Sequence, residues 1–230
     1  MSNQLPSVVA QEKIILLIIG GLALCLIGAL AFNQYRQQQQ SEVAVPSTAP
    51  LSIQLGDKNN ANTIVVYTDP VCDKCATYHE DVIVPLYEEY VENEEVNIEI
   101  RPLGIVSEHS APLNQLLMCS SEQNAYMATM EYVNQSLLDE EGNHTEVRAA
   151  SFFDDHTTED IARESDMKSS SLKQCLDDTH YDNKMTRADS EAYAANIYST
   201  PTTFVGDSEP IRGYSSLSFI KQLINIHLFN

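Results

Sequence analysis

The stretch from Thr63 to Tyr90 constrains this chain most, because it places two cysteines directly after an apolar strand. Residues 64–67 are β-branched or aromatic, which predicts a buried strand. A tight turn over residues 68–70 ends that strand. Cys72 and Cys75 then stand at the start of a long amphipathic helix. The order strand, Cys-x-x-Cys, helix predicts a redox-active dithiol.

The chemistry of thiol–disulfide exchange assigns a different role to each cysteine. Backbone N–H groups at a helix start are unpaired and the helix dipole is positive there, so a thiolate is stabilised. We expect Cys72 to be the attacking thiol and Cys75, one turn deeper, to resolve the mixed disulfide. Asp73 opposes thiolate formation at Cys72, and Lys74 favours it. The Cys72 pKa is expected to be lowered.

Two other uses of the Cys-x-x-Cys pair stay open at this point. A zinc site could take His79 as a third ligand, but zinc needs four ligands, and Cys119 and Cys175 do not form a second closely spaced pair. The pair could also be a static structural disulfide. We expect no metal, and no cofactor beyond the dithiol itself. His79 is more simply explained as a packed residue than as a catalyst.

Size and charge limit the possible partners. The chain has 230 residues and a formal net charge of −20. Such a surface repels nucleic acid, so no nucleic-acid partner is expected. Of five cysteines, Cys25 falls inside an apolar segment. The other four make two possible pairs, which suits an oxidising compartment.

The N-terminal region predicts export of the domain that follows. Residues 1–13 are a short polar tail, expected to be cytoplasmic, and residues 14–32 carry no charge over nineteen positions, enough to span a bilayer as a helix. An uncleaved transmembrane anchor, a cleaved signal peptide ending near Ala31 and a lipoprotein signal at Cys25 are the alternatives. Residues 33–50 are polar with Pro and Ser, and predict a flexible linker. Residues 51–230 then form one domain.

Hydrophobic periodicity predicts the remaining elements of that domain. Pro85 should kink or restart the redox helix. Strands are predicted at 51–55, 96–100, 200–206 and 210–214, and helices at 109–133, 157–165, 169–178, 182–197 and 216–229.

These features together resemble the DsbA-like branch of the thioredoxin superfamily, over roughly residues 51–228. The matching motifs are Asp69-x-x-Cys72-x-x-Cys75 after a strand, residues 79–90 of the following helix with Arg101-Pro102-Leu103 after the next strand, Cys119 with Cys175, and Ser199-Thr200-Pro201-Thr202-Thr203-Phe204-Val205-Gly206.

The resemblance implies an α/β thioredoxin fold, with a central mixed sheet flanked by helices and a helical insertion at about residues 109–197. It implies that Pro201 is the family's cis-proline and faces the dithiol, so that the backbone of Thr200 can pair with an extended substrate. It also implies a structural disulfide between Cys119 and Cys175; two buried thiols or a second electron-relay pair are the alternatives. Asp69 is either a proton-handling carboxylate near Cys75 or a turn residue.

The function implied is a membrane-anchored, extracytoplasmic thiol–disulfide oxidoreductase, on the periplasmic or outer side of a cell membrane. It would pass a Cys72–Cys75 disulfide to reduced or misoxidised client proteins and be reoxidised by a quinone-linked membrane partner. Asp73 and Lys74 stand where the family commonly has proline and an aromatic residue or histidine, and these positions tune the reduction potential. A reductase or isomerase of the same fold therefore stays open, as does a non-catalytic binding module.

Overall fold

The strand and helix that frame the two cysteines are both present in the computed structural model, which describes residues 18, 21–22, 24–31, 45, 49–178 and 180–229. Strand β1 spans Ile53–Leu55, and the redox strand, β2, spans Thr63–Thr68. The cysteine-bearing helix, α1, begins as a regular α-helix over Asp73–Tyr78. The chain therefore enters the helix within a few residues of leaving the centre of the sheet.

The lower part of α1 departs from regular α-helix around Pro85, as its sequence predicts. It continues through a π-helical segment at His79–Ile83, an α-helical turn at Val84–Leu86 and a second π-helical segment at Tyr87–Val91. Proline carries no N–H, so the usual hydrogen bond to the carbonyl four residues earlier cannot form. The neighbouring Val84 N–H instead reaches the carbonyl of His79, five residues back. The helix therefore changes its hydrogen-bond spacing beside the proline.

The rest of the domain alternates one strand, a run of helices, a hairpin and a final helix. In chain order these elements are β3 (Asn97–Pro102), α2 (Ser110–Ser121), α3 (Tyr126–Leu137), α4 (Glu146–Asp155), α5 (Thr158–Glu164), α6 (Ser169–Leu176), α7 (His180–Ala194), β4 (Thr202–Val205), β5 (Ile211–Arg212) and α8 (Leu217–His227).

Within the described residues the strands form one five-stranded mixed sheet in the order β1-β3-β2-β4-β5. Strands β2 and β3 run parallel, with Thr63 opposite Asn97. The other neighbouring pairs are antiparallel. Helices α2 to α7 all lie between β3 and β4 in the chain. The predicted thioredoxin fold, a mixed sheet flanked by helices with a helical insertion, is thereby confirmed.

Strand β2 is buried on both faces. The strand is therefore held in one position, and so is the turn that follows it. Ile64 and Val66 lie in the larger core, between the sheet and the helices. Val65 and Tyr67 point to the other face, into a smaller cluster with Phe204. The Tyr67 and Phe204 rings meet edge to face at 6.2 Å. A one-residue slip would exchange these two sets, so alternation holds the register.

The helical insertion differs from the sequence prediction in two places. The helix predicted over 109–133 is two helices, α2 and α3, because Asn124 adopts a left-handed backbone with φ 58° between them. Asparagine tolerates this conformation better than most residues. Helix α4 was not predicted. It begins at a cap in which Thr145 Oγ1 accepts the Arg148 N–H, 3.3 Å away.

Residue contacts divide the chain into two units, Met1–Glu42 and Val43–Asn230. In the first unit, residues 18, 21–22 and 24–31 are helical, with exposed apolar side chains such as Leu24 and Leu30. The rest of the predicted span at 14–32 lies outside the described residues, as do the predicted tail at 1–13 and most of the predicted linker at 33–50. Over the part of the chain that is described, no helix combines the length and apolar character needed to cross a membrane.

Candidate active site

Cys72 occupies the N-cap of α1, and its sulfur takes the place that a serine or aspartate oxygen usually has. Its backbone is extended, with φ −76° and ψ 112°, and its Sγ accepts the N–H of Cys75 at 3.3 Å. Cys72 is half-buried, whereas Cys75 has 2% of its surface exposed. Both are free thiols. One accessible sulfur and one sheltered sulfur therefore stand a helical turn apart.

Thr200 and Pro201 lie directly beside Cys72, although they are far away in the chain. The Cys72 thiol donates to the Thr200 carbonyl, with Sγ and oxygen 3.5 Å apart. The Thr200–Pro201 peptide bond is cis. The Pro201 carbonyl accepts the N–H of Gly213 at 2.7 Å, which joins this corner to the β4–β5 hairpin. The sheet thus brings the Thr200-Pro201 motif next to the Cys72-x-x-Cys75 motif.

The surroundings lower the pKa of Cys72 to about 6, mainly because the Cys75 side chain donates a hydrogen bond to its sulfur. The Thr200 side chain and the Cys75 N–H act in the same direction, while partial burial and the Asp69 charge oppose it. The pKa of Cys75 is raised, because burial and the Cys72 thiolate both disfavour a second negative charge. The pair is arranged to carry one thiolate, at the accessible sulfur.

Asp69 is fully buried, and its carboxylate accepts hydrogen bonds from backbone N–H groups. Its Oδ1 accepts the Val71 N–H at 2.9 Å, and its Oδ2 accepts the N–H groups of Ile105 and Val106, both at 3.0 Å. Burial raises the pKa of Asp69 against these hydrogen bonds. Its backbone carbonyl accepts the Cys72 N–H at 3.1 Å. This geometry favours the turn interpretation, because each carboxylate oxygen is engaged by a backbone donor.

Asp73 and Lys74, the two residues between the cysteines, lie at the surface. Lys74 Nζ stands 3.6 Å from Asp73 Oδ2, with both side chains substantially exposed. The other Asp73 oxygen accepts the His144 N–H at 3.5 Å, from the loop between α3 and α4. Since an exposed pair of opposite charges is screened by solvent, its effect on the neighbouring thiolate is small. The main electrostatic influence on Cys72 comes from the buried groups.

Four residues near the site are not predicted from the sequence. Tyr78, one turn after Cys75, is buried and accepts the Thr203 hydroxyl at 3.0 Å. Its spacing from Cys75 on one helix face was the available signal. His144 carries a pKa lowered by burial, with the Asp73 charge opposing that shift. Ile105 and Val106, 44% and 50% exposed, form an apolar shoulder that Asp69 holds in place. No local pattern in the sequence marks His144, Ile105 or Val106.

His79 and the remaining cysteines do not extend the site. His79 is buried, with the Tyr126 ring edge-on at 6.2 Å. Among the described residues, no group of His, Cys, Asp and Glu side chains could hold a metal ion. Cys119 in α2 and Cys175 in α6 are joined by a disulfide, with their Cα atoms 5.8 Å apart. That bond staples the insertion to itself.

We compared the chain with family models and with known proteins. A family model described as thioredoxin matches residues 48–225. Among solved structures, α-DsbA1 of Wolbachia pipientis is similar with a TM-score of 0.64 at 18% identity, over 81% of this chain and 95% of that one. BdbD of Bacillus subtilis, in its oxidised form, gives 0.63 at 18% identity, over 78% and 94%. DsbA of Chlamydia trachomatis gives 0.58 at 19% identity, over 80% and 93%. No curated protein sequence matches the chain.

Proposed function

The chain belongs to the thioredoxin family, and from that premise we propose that it is a thiol–disulfide oxidoreductase that donates a Cys72–Cys75 disulfide to client proteins. One observation carries the proposal. The accessible Cys72 sulfur sits at a helix N-cap, beside the Thr200 carbonyl, with its partner thiol buried one turn below. A static disulfide would need neither an accessible sulfur nor a lowered thiol pKa.

The proposed reaction conserves electrons through a mixed disulfide. A client thiolate attacks Cys72 Sγ of the oxidised pair, the Cys72–Cys75 bond breaks, and Cys75 leaves and takes up a proton. A second client thiolate then attacks the client sulfur of the mixed disulfide and expels Cys72 as a thiolate. The client is oxidised by two electrons, and the cysteine pair is reduced to one thiolate and one thiol. Because the pKa of Cys75 is raised, that sulfur ends protonated after it has left.

The lowered pKa of Cys72 supports the oxidising direction. At about 6, it lies well below the ordinary thiol value of 9.0, so the reduced pair is stabilised as a thiolate at neutral pH. A more stable reduced form makes the disulfide a stronger oxidant. The same shift makes Cys72 a better leaving group in the second step. A reductase would instead benefit from a pair whose oxidised form is the more stable one.

Client proteins would meet the site through backbone and apolar contacts. An extended client segment can pair with the chain at Thr200, next to Cys72. The exposed shoulder of Ile105 and Val106 offers apolar contact to an unfolded client. We propose that reduced or misoxidised client proteins are the substrates. A quinone-linked membrane protein would return the pair to its oxidised form, as the resemblance to the DsbA-like branch implies.

We also propose that the domain is tethered on the extracytoplasmic side of a membrane. The nineteen uncharged residues at 14–32 support an anchor, and the exposed apolar side chains at positions such as Leu24 and Leu30 are compatible with one. The Cys119–Cys175 disulfide supports an oxidising compartment, since such bonds are rare in reducing ones.

The test measures both the potential of the pair and the direction of its activity. We expect the full chain, equilibrated in glutathione buffers, to have a reduction potential more oxidising than about −200 mV and to speed oxidation of reduced ribonuclease. Cys72→Ser should abolish that activity. Cys25→Ser, which changes a cysteine outside the pair, should leave it intact.

Other outcomes identify the alternatives. A potential below about −250 mV with strong insulin reduction would replace the oxidase by a reductase or isomerase. Equal behaviour of Cys72→Ser and wild type in both assays would leave a non-catalytic binding module.

A further inference from the structure

A groove that the redox reaction does not use lies along α1, on the side that faces the insertion. It has a volume of about 440 Å³ and runs between the lower part of α1 and helix α3. Its apolar lining comes from Val84 and Tyr87 on α1 and from Met127 and Ala128 on α3. The two helices thus leave a cleft large enough for one or two large apolar side chains.

The groove is edged by negative charge. Glu80, Glu88 and Glu92 approach it from α1, and Glu131 approaches it from α3. All four side chains belong to exposed residues. The described residues that line the groove include no lysine or arginine. Like charges along one groove repel one another, so a cationic ligand would reduce that repulsion.

A buried polar side chain at the floor of the groove has no partner. His79 lines the groove with only 4% of its surface exposed, and neither ring nitrogen has a hydrogen-bond partner among the described residues. Burial lowers its pKa to about 4, so the ring is neutral at pH 7 and offers one donor and one acceptor. An unmade hydrogen bond at a buried site is costly, so a ligand that supplies it gains affinity.

The chemistry of the groove selects among possible occupants. A metal ion is disfavoured, because no set of suitable ligands is assembled in the described part of the chain. A second copy is disfavoured by charge, since each chain carries a net −20. A cationic segment with an apolar anchor satisfies the apolar floor, the glutamate rim and the His79 ring together.

We propose that this groove docks a segment of a partner protein in which an apolar side chain is flanked by arginine or lysine. The apolar side chain packs on Tyr87 and Met127, the cations lie against the glutamates, and His79 bonds a polar group of the segment. The inference goes beyond the proposed redox activity, because docking here requires neither cysteine. His79 nevertheless lies one helical turn after Cys75, so a docked partner is held close to the redox pair.

The test uses short cysteine-free peptides of equal length and the full chain, with affinity measured by fluorescence anisotropy. One peptide alternates leucine with arginine, the second replaces leucine by serine, and the third replaces arginine by glutamate. We expect only the first to bind well. Because none carries a thiol, the result does not depend on whether the redox proposal holds.

Variants locate the binding on the groove. Ala128→Arg should weaken binding of the leucine–arginine peptide more than tenfold, whereas Ala150→Arg, an exposed helical alanine on α4, should not change it. Glu88→Gln with Glu92→Gln should weaken it about fivefold, through loss of two ion pairs. The matched pair Glu159→Gln with Glu209→Gln changes two exposed glutamates elsewhere and should have no effect.

His79→Leu separates ligand binding from packing. Removing a buried ring without partners should raise Tm by a few degrees, roughly 2–4 °C, while peptide affinity falls about fivefold. The proposal is overturned if affinity is unchanged in His79→Leu. Equal binding of the serine–arginine peptide, or equal losses in the groove and control glutamate pairs, would also overturn it, because binding would then follow net charge alone.

Discussion

Three hydrogen bonds stabilise the thiolate form of Cys72. The Cys75 side chain, the Thr200 side chain and the Cys75 N–H all favour its thiolate. Because two of these come from its own helix turn, the strand–turn–helix sequence was enough to predict a lowered pKa. The third comes from a segment 128 residues away, whose arrival the Thr-Pro-Thr motif indicated only through resemblance.

The reduced protein should gain stability relative to the oxidised protein as pH rises from about 6 towards 9. The folded pKa of Cys72, about 6, lies below its ordinary value of 9.0. Stabilisation is therefore complete above the unfolded pKa and is lost as pH falls through the folded pKa. The oxidised form has no thiol at this position and lacks the effect. Urea unfolding of both forms across this pH range measures the difference.

Reduced Cys72→Ser is the control for this pH dependence, because it removes the titrating group and should abolish the gain. A gain of the same size in reduced Cys72→Ser would show that another group is responsible.

At the scale of elements, Asp69 joins the turn after β2 to the loop after β3. Three backbone N–H groups converge on its two oxygens. The sequence placed Asp69 beside the cysteines, but its two roles could not be separated there. The donors at Ile105 and Val106 come from a different loop, and nothing local to Asp69 predicts which loop packs against it.

Asp69→Asn should destabilise the domain by about 2 kcal/mol and lower the Cys72 pKa further. The amide nitrogen is a donor, so at least one of the three N–H groups loses its acceptor in a buried site. The lost negative charge had raised the Cys72 pKa, so thiolate should persist to lower pH. Urea unfolding measures the first effect, and the pH dependence of Cys72 alkylation measures the second.

Asp57→Asn is the matched control, because Asp57 is exposed and its carboxylate accepts hydrogen bonds from nearby Asn59. Both readouts should be unchanged within about 0.5 kcal/mol. If Asp69→Asn moves the Cys72 pKa upward, Asp69 acts on the site by a route other than its charge.

Local signals explain which elements the sequence could predict. Strand β2 is clear from the sequence because all its side chains are β-branched or aromatic, as suits a strand buried on both faces. The helix predicted at 109–133 was too long because its apolar pattern continues through Asn124, where only the backbone changes hand. Helix α4 was overlooked because Phe152 and Ala149 are its only fully buried residues, too few for a clear periodicity.

Across the whole domain, the two cysteine pairs have different roles. Cys119–Cys175 is a disulfide within the insertion, and Cys72 and Cys75 are the free thiols of the redox pair. Cys119 and Cys175 close a loop of 56 residues that joins α2 to α6 within the insertion. The pairing itself was implied by family resemblance rather than by spacing. The sheet order, by contrast, depends on contacts between distant strands, and no local pattern in β1 or β5 specifies its neighbours.

Replacing Cys119 and Cys175 by alanine should destabilise the domain by about 4 kcal/mol, because the unfolded chain regains the freedom that the loop removes. The reduction potential of the Cys72–Cys75 pair should stay unchanged, since none of the hydrogen bonds described for that pair involves Cys119 or Cys175. Thermal unfolding and a glutathione titration of the same variant measure the two quantities. A shift in potential would mean that the insertion and the active site are energetically coupled.

The Cys119–Cys175 disulfide bears on how a newly made chain acquires its correct cysteine pairing. Four cysteines in one domain can pair in three ways, and only one of them joins Cys119 to Cys175 and leaves Cys72 facing Cys75. Under the oxidase activity proposed above, a newly made chain is itself a substrate for that reaction. Chains that already carry the Cys72–Cys75 disulfide would then speed disulfide formation in newly made ones.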